Sequence, residues 1–125
     1  MAGGRKEEEA RLCPLRHLSR TFGGKWKLPI MCILSSGEGP KRYSVIKRRL
    51  GDVTNVMLSQ SLRELEASGL IHREQYNEVP PRVEYSLTER GKGALPFLAQ
   101  AVAWAMEDME ASSLGPLCER CVTMS

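Results

Sequence analysis

The sequence predicts a mainly α-helical domain that carries one small β-hairpin. Three observations predict this fold. A two-faced helical stretch runs from Thr54 to Gly69, a short basic helical stretch precedes it, and two strand-like stretches around Pro80-Pro81 follow it. Two further helical stretches come first and one comes last. This order of elements, with a helix-turn-helix followed by a two-stranded wing, is that of a winged helix-turn-helix.

The bulk composition is that of one soluble globular domain. The chain has 125 residues, of which 42% are apolar and 26% are charged, and both fractions are ordinary for such a domain. No apolar run approaches the roughly 20 residues that cross a bilayer, and the polar N-terminus lacks a hydrophobic signal core. We therefore expect a cytoplasmic protein with no membrane partner. We also expect a disordered arm at 1–11, a folded domain at 12–111 and a flexible tail at 112–125.

The distribution of charge says more than the net charge of +3. Residues 41–50 carry five basic side chains and no acidic one, whereas the later part of the last helical stretch is acidic. Charge that is separated in this way steers a nucleic acid towards one side of a protein.

Two helices are predicted before the basic segment. Pro14 suits the first position of a helix, where its missing N–H costs nothing, and apolar residues follow at helical spacing as far as Phe22. A second helix is predicted from Lys25 to about Ser35. It is apolar nearly all round, so it should be central and buried, with Trp26 as a core anchor.

The helix-turn-helix is predicted from its caps. Arg42-Tyr43 is predicted as a brief strand, after which Ser44 caps a short helix at Val45–Leu50. Thr54 caps the next helix, and Gly69 ends it because glycine tolerates the left-handed conformation. The inward face of this second helix is predicted to hold Met57, Leu58, Ser61, Leu62 and Leu65.

The remaining elements are a hairpin and a terminal helix. Residues 70–76 and 82–87 read as strands, and the segment between them contains Pro80-Pro81, which is stiff and turn-forming. Thr88 is predicted to cap one long helix, whose first turns are loosened by glycine and proline. Beyond them, apolar residues recur at alternating steps of three and four, which predicts a coiled-coil-like seam with Trp104 beside it.

Several short motifs occur along the chain in a fixed order. They are Cys13-Pro14, Gly23-Gly24-Lys25-Trp26-Lys27, Arg42-Tyr43-Ser44, Leu58-Ser59-Gln60, Gly69-Leu70-Ile71 and Val79-Pro80-Pro81-Arg82-Val83-Glu84-Tyr85-Ser86-Leu87-Thr88. In this order they resemble the HxlR-type family of winged-helix transcription regulators, within the wider MarR-like group. The resemblance implies a homodimer that binds double-stranded DNA, with dimerisation through its N- and C-terminal helices. It also implies a frequent response to electrophiles, oxidants or small molecules, and no enzymatic activity or cofactor.

DNA binding requires cations for phosphates, which hold the register, and side chains that reach base edges, which discriminate. Asparagine and glutamine pair bidentately with adenine, and arginine pairs with guanine. The base-edge candidates are Asn55, Val56, Ser59, Gln60 and Arg63. The backbone and wing candidates are Lys41, Arg42, Lys47, Arg48, Arg49 and Arg82, the last at the wing tip, where it would enter or straddle a minor groove. The alternative for the basic cluster is a merely solvated face.

One departure from the family pattern concerns the start of the helix after Thr54. Asn55-Val56 stands where the family often carries Gln-Lys. The missing lysine removes a phosphate or base contact, so the preferred target sequence is expected to differ. The same departure favours a second hypothesis, a winged-helix protein-interaction module that no longer reads DNA.

The cysteines suggest a sensor rather than a metal site. Cys13 precedes a helix N-terminus, whose dipole favours the thiolate, so it is a candidate sensor of oxidants or electrophiles; the alternative is a small buried hydrophobe. Cys32 lies in an apolar helix and is predicted to be inert core. Cys118-x-x-Cys121 is predicted to be an incidental pair in a flexible tail, with a redox pair, a metal clip or a thiol or metal enzyme as minority hypotheses. No metal site is predicted.

Overall fold

The computed structural model describes residues 13–37 and 39–112. Its helices are α1 (Pro14–Phe22), α2 (Lys27–Ser35), α3 (Tyr43–Leu50), α4 (Asn55–Ala67), α5 (Glu89–Gly93) and α6 (Leu95–Ala111). Its strands are β1 (Lys41–Arg42), β2 (Ile71–Tyr76) and β3 (Arg82–Leu87). The predicted N-terminal arm and the Cys118-x-x-Cys121 pair lie outside the described residues.

The three strands form one antiparallel sheet in the order β1-β3-β2. Lys41 of β1 opposes Tyr85 of β3. In the β2–β3 hairpin, Ile71 pairs with Leu87 at the open end and Tyr76 pairs with Arg82 next to the connection. This hairpin, which we call the wing, directly follows the helix-turn-helix formed by α3 and α4. The predicted mainly α-helical fold with a small hairpin is therefore confirmed as a winged helix-turn-helix.

The core is built where α2, α3 and α4 meet. Ile30, Ile46, Leu58 and Leu65 have no exposed surface, and Trp26 is buried at the start of α2. Burying each such aliphatic side chain contributes about 1.5–3 kcal/mol to folding. The prediction that the second helix is central and buried is confirmed.

Both ends of α4 follow the local rules that its sequence predicts. The Thr54 hydroxyl oxygen accepts a hydrogen bond from the backbone N–H of Met57 at 3.1 Å. At the other end Gly69 has a φ of +76°, and the N–H of Leu70 donates to the carbonyl of Leu65 at 3.0 Å. That closing bond is typical of a glycine-ended helix.

Two details of the helix-turn-helix differ from the prediction. Ser44 does not cap α3, which begins at Tyr43 after an extended Arg42 that makes no side-chain cap. Strand pairing holds Arg42 extended, so the tertiary structure decides where the helix begins. Met57 is 41% exposed because it lies about 100° around α4 from the buried Leu58, beyond the arc that faces the core.

The predicted terminal helix is divided into α5 and α6 at Ala94. Thr88 caps α5, because its hydroxyl oxygen accepts from the N–H of Gly91 at 3.1 Å. Gly91 is required for close packing, since a Cβ on it would lie 2.2 Å from the carbonyl oxygen of Leu70. A Cβ on Gly93 would meet nothing within 4 Å. Among the described helices, each is too short or too polar to span a lipid bilayer.

The contrast between these two glycines predicts opposite effects of the same substitution. Gly91→Ala should lower the free energy of unfolding by about 2–3 kcal/mol, because α5 must move away from the strand that it contacts. Gly93→Ala, the matched control in the same helix, should be neutral or stabilising by up to about 1 kcal/mol. Urea unfolding followed by circular dichroism measures both, and equal stabilities would contradict the packing role of Gly91.

Candidate nucleic-acid interface

The outer face of α4 presents the base-edge candidates as one strip. Asn55, Gln60 and Arg63 are exposed, Val56 is 74% exposed and Ser59 is half-buried. Their spacing places them along neighbouring turns of a single helix face. The structure therefore brings all five candidates together on the surface.

An ion pair between the buried Lys27 and the exposed Glu64 links α4 to the central helix. The Lys27 ammonium of α2 lies 3.2 Å from the Glu64 carboxylate of α4, and the Lys27 side chain is only 11% exposed. A lysine is rarely buried to this degree unless it is paired. The ion pair stands beside the leucines that pack α4 onto the core, so the orientation of the outer strip is tied to the interior.

A tyrosine hydroxyl links the two helices of the helix-turn-helix. The Tyr43 hydroxyl at the start of α3 lies 3.0 Å from Asn55 Oδ1, 3.3 Å from the Asn55 carbonyl oxygen and 3.4 Å from Ser59 Oγ. The Tyr43 ring itself packs against the core. Two of the base-edge candidates are thus held by a residue that was not among them.

The basic segment on α3 and just before it is only partly exposed. Arg42 and Arg48 are exposed, and Lys47 is half-buried. Arg49 is also half-buried, and its Nη1 donates to the Ser36 hydroxyl at 3.2 Å. Arg42 and Arg48 are therefore the candidates best placed for phosphates.

Lys41 is placed differently from its basic neighbours. It is 8% exposed, and its ammonium donates to the Gly39 carbonyl at 3.0 Å. The reason is strand alternation, since β1 pairs with β3 and turns Lys41 inward while Arg42 points outward. Its proposed role on the DNA backbone does not fit this burial.

Arg82 is placed at the first residue of β3 rather than at the wing tip, which corrects the prediction. Its guanidinium lies 3.1 Å from Glu78 and 3.5 Å from Glu84, and it stacks 4.1 Å from the centre of the Tyr76 ring. Two carboxylates neutralise it, and its side chain is only 27% exposed. The fully exposed residue of the tip is instead Val79.

A groove of about 400 Å³ runs between α4 and the wing. It is lined by Ser59, Leu62, Arg63, Glu66, Arg73 and Tyr85. Arg63 donates to the Ser59 carbonyl at 3.4 Å, and Arg73 donates to the Gln75 side chain at 3.3 Å. Within residues 13–37 and 39–112, neither arginine forms an ion pair. The groove thus offers two guanidinium groups against one carboxylate, which suits a phosphodiester.

The structure describes two of the four cysteines. Cys13 is partly buried and extended, and its carbonyl accepts from the N–H of Arg16 at 3.0 Å, so it directly precedes the first turn of α1. Cys32, predicted to be core, is half-buried in α2. In the described part of the chain, no group of histidine, cysteine or acidic residues has an arrangement that would hold a metal ion.

Two residues of this interface, Arg73 and Tyr43, were not predicted from the sequence. Arg73 shares the strand face of the buried Ile71, so alternation along β2 offered a signal that it faces α4. Tyr43 offered none, because the residues that its hydroxyl contacts lie 12 and 16 positions away.

Comparison with known proteins agrees with this geometry. The family model described as HxlR-like helix-turn-helix matches residues 21–113. An uncharacterized HTH-type transcriptional regulator from Methanothermobacter thermautotrophicus is 50% identical over 93 residues, which cover 74% of this chain and 70% of that protein. YkvN from Bacillus subtilis, also described as an HTH-type transcriptional regulator, is 47% identical over 92 residues, covering 74% and 76%.

Solved structures give the same result. The redox regulator HypR in its oxidized form superposes with a TM-score of 0.70 at 41% identity, covering 76% of this chain and 96% of HypR. The resemblance deduced from the sequence motifs is confirmed, and with it the class of transcription regulator rather than enzyme. The chain belongs to the HxlR-like helix-turn-helix family of transcription regulators.

Proposed function

We propose that this chain acts as a homodimer that binds a pseudo-palindromic DNA operator through α4, and that its binding responds to electrophiles or oxidants through Cys13. The proposal rests on the outer strip of α4, which faces solvent while the opposite side of the same helix packs against the core. In helix-turn-helix proteins the start of the second helix contacts base edges, and dimers place two such helices about 34 Å apart.

The phosphate contacts are assigned to two surfaces. Arg42 and Arg48 are exposed beside α4 and meet the backbone at the edge of the major groove. With α4 in the major groove and the wing over the minor groove, the phosphate strand between them passes Arg73 on the wing side of the groove, while Arg63 on the α4 side reaches the bases. This placement gives Arg73 a role on the backbone that the neutralised Arg82 does not supply.

Dimerisation is assigned to the terminal helices because they leave large apolar side chains exposed. Leu15 of α1 is 72% exposed, and Trp104 and Phe97 of α6 are 67% and 39% exposed. Exposed apolar surface of this kind is typical of an interaction site. A second copy of this chain, which offers the same apolar helices, covers it.

The sensing role is assigned to Cys13 from its position. It precedes α1, one of the helices assigned to the dimer interface, so a group added to its sulfur changes the surface next to that interface. The thiolate adds to a quinone with formation of a carbon–sulfur bond, and the ring takes up the proton. Alternatively, it forms a disulfide with the Cys13 thiol of the second copy when diamide takes up the two electrons and two protons. The likeness to HypR, which is described as a redox regulator, supports this assignment.

The first prediction separates base reading from phosphate binding. Arg63→Ala should weaken binding to duplexes that the protein selects from a random library more than binding to unselected duplexes, because Arg63 lies on the base-reading strip. Arg73→Ala should weaken both about equally and reduce the salt dependence by about one counterion. Fluorescence anisotropy at several salt concentrations measures these effects. Equal losses for Arg63→Ala would contradict its role with bases.

If the unmodified protein selects no sequence from the library, the proposed function fails. The interaction module that no longer reads DNA then becomes the better hypothesis, and the exposed Val56 on the outer strip is the observation that favours it.

The second prediction concerns the basic helix. Arg48→Glu should lower affinity for any duplex at least about tenfold at low salt, because it replaces a phosphate-facing cation with an anion. Lys92→Glu changes the net charge equally, at an exposed position of α5 outside this surface, and serves as the control. A similar loss from both variants would show that net charge, rather than the position of Arg48, governs binding.

The third prediction tests the sensor. Treatment with diamide or a quinone should lower the operator affinity of the unmodified protein, and Cys13→Ser should abolish the response. Cys32→Ser and the double variant Cys118→Ser/Cys121→Ser are controls that should respond normally. A normal response in Cys13→Ser, or an unchanged affinity in the unmodified protein, would reject the role of Cys13.

A further inference from the structure

The hydrogen bonds at the start of α4 bear on which base the protein reads, on the premise of the DNA-binding function proposed above. We propose that Tyr43 is a positioning residue for Asn55: it holds the amide so that the NH₂ group faces the major groove and selects guanine or thymine. Tyr43 itself does not contact the base in this arrangement. Its hydroxyl acts through Asn55.

The distances indicate how the cluster is bonded. A tyrosine hydroxyl has one proton, and its shortest contact is with Asn55 Oδ1 at 3.0 Å. The proton therefore goes to that oxygen, and the Ser59 hydroxyl, 3.4 Å away, donates to the phenol oxygen. Donation to Oδ1 keeps the amide oxygen turned towards α3. The amide nitrogen then points away from Tyr43.

The fixed amide decides what Asn55 offers to DNA. Bidentate pairing with adenine requires the amide oxygen to accept from N6 while the amide nitrogen donates to N7. With Oδ1 turned towards Tyr43, the NH₂ donors remain. They match best the base edges that present acceptors with no amino donor beside them, which are N7 and O6 of guanine and O4 of thymine, whereas N7 of adenine stands beside the N6 amino donor. For Asn55, the adenine pairing expected from residue type alone is therefore replaced by pairing with guanine or thymine.

The surroundings of the pair suit a positioning role. Asn55 is exposed and is the first residue of α4, the part of such a helix that contacts bases. The positive end of the helix dipole at this point favours acceptor groups on the DNA. The Tyr43 ring is half-buried against the core, and this packing fixes the position of its hydroxyl. Removing the hydroxyl alone leaves that packing in place.

The experiment is selection of binding sites from a random duplex library by four proteins: the unmodified chain, Tyr43→Phe, Asn55→Asp and the control Tyr76→Phe. The unmodified chain should prefer one base pair at the position that Asn55 faces. Replacing its guanine by 7-deazaguanine, or its thymine by 5-methyl-2-pyrimidinone, removes a major-groove acceptor and should weaken binding. Replacing the partner cytosine by 2-pyrimidinone, or the partner adenine by purine, removes only an amino donor and should not weaken it. That position is recognised as the one whose preference Asn55→Asp abolishes, since aspartate still accepts from Tyr43 but has no NH₂ donor. Tyr43→Phe should reduce discrimination at the same position at least about fivefold and leave unchanged the positions that neither Asn55 nor Ser59 faces. Tyr76→Phe, which removes a wing hydroxyl, should change nothing.

Three outcomes would overturn the inference in distinguishable ways. Weaker binding on loss of the adenine or cytosine amino group, with no effect from loss of the guanine or thymine acceptor, would mean that the amide oxygen faces the DNA. An unchanged preference in a Tyr43→Phe variant whose circular dichroism and melting temperature match the unmodified chain would mean that the hydroxyl does not position Asn55. Selection of no sequence by the unmodified chain would remove the proposed function itself, and with it this inference.

Discussion

The packing of α4 onto α2 is the constraint on which the rest of the structure depends. Leucines on the inner side of α4 have almost no exposed surface, and the Lys27–Glu64 ion pair closes the edge of that contact. Rotation of α4 about its own axis would draw its leucines out of the core and break the 3.2 Å contact between Lys27 and Glu64, so the packing resists it. The outer strip from Asn55 to Arg63 consequently points in one direction, which is what reading base edges requires.

Charge on the interface is concentrated on the helix-turn-helix rather than on the wing. Across β2, β3 and their connection, two arginines stand against three glutamates, which leaves one net negative charge. Arg82 is held by two of those glutamates and by the Tyr76 ring, and Arg73 faces the groove beside α4. The positive charge that attracts DNA therefore comes mainly from α3 and from the groove. The exposed Val79 at the tip offers an apolar contact instead.

The sequence predicted those features that depend on neighbours along the chain, and it failed where strand pairing or tertiary contact decides. The Thr54 cap and the Gly69 stop follow from local backbone chemistry, so they were predictable. The burial of Lys41 depends on which strands pair and in what register, which a basic side chain does not encode. Glu78 and Glu84 are close to Arg82 along the chain, but only the hairpin conformation brings both carboxylates to its guanidinium. Tyr43 depends on the approach of two helices, and its aromatic ring alone suggested only packing.

The end of α4 is joined to the terminal helices by a compact set of hydrogen bonds to backbone carbonyls. The Thr88 hydroxyl donates to the Gly69 carbonyl at 2.6 Å while its N–H donates to the Leu70 carbonyl at 3.1 Å, and Arg90 donates to the carbonyl of Ser68. Gly91 then brings α5 against that same strand start with no room for a side chain. Because α6 follows α5 after a single residue, its departure angle is set by bonds to the last turn of α4. A helix that carries exposed apolar surface and the helix that carries the base-edge candidates are thus coupled through hydrogen bonds to backbone carbonyls, two of which are donated by the side chains of Thr88 and Arg90.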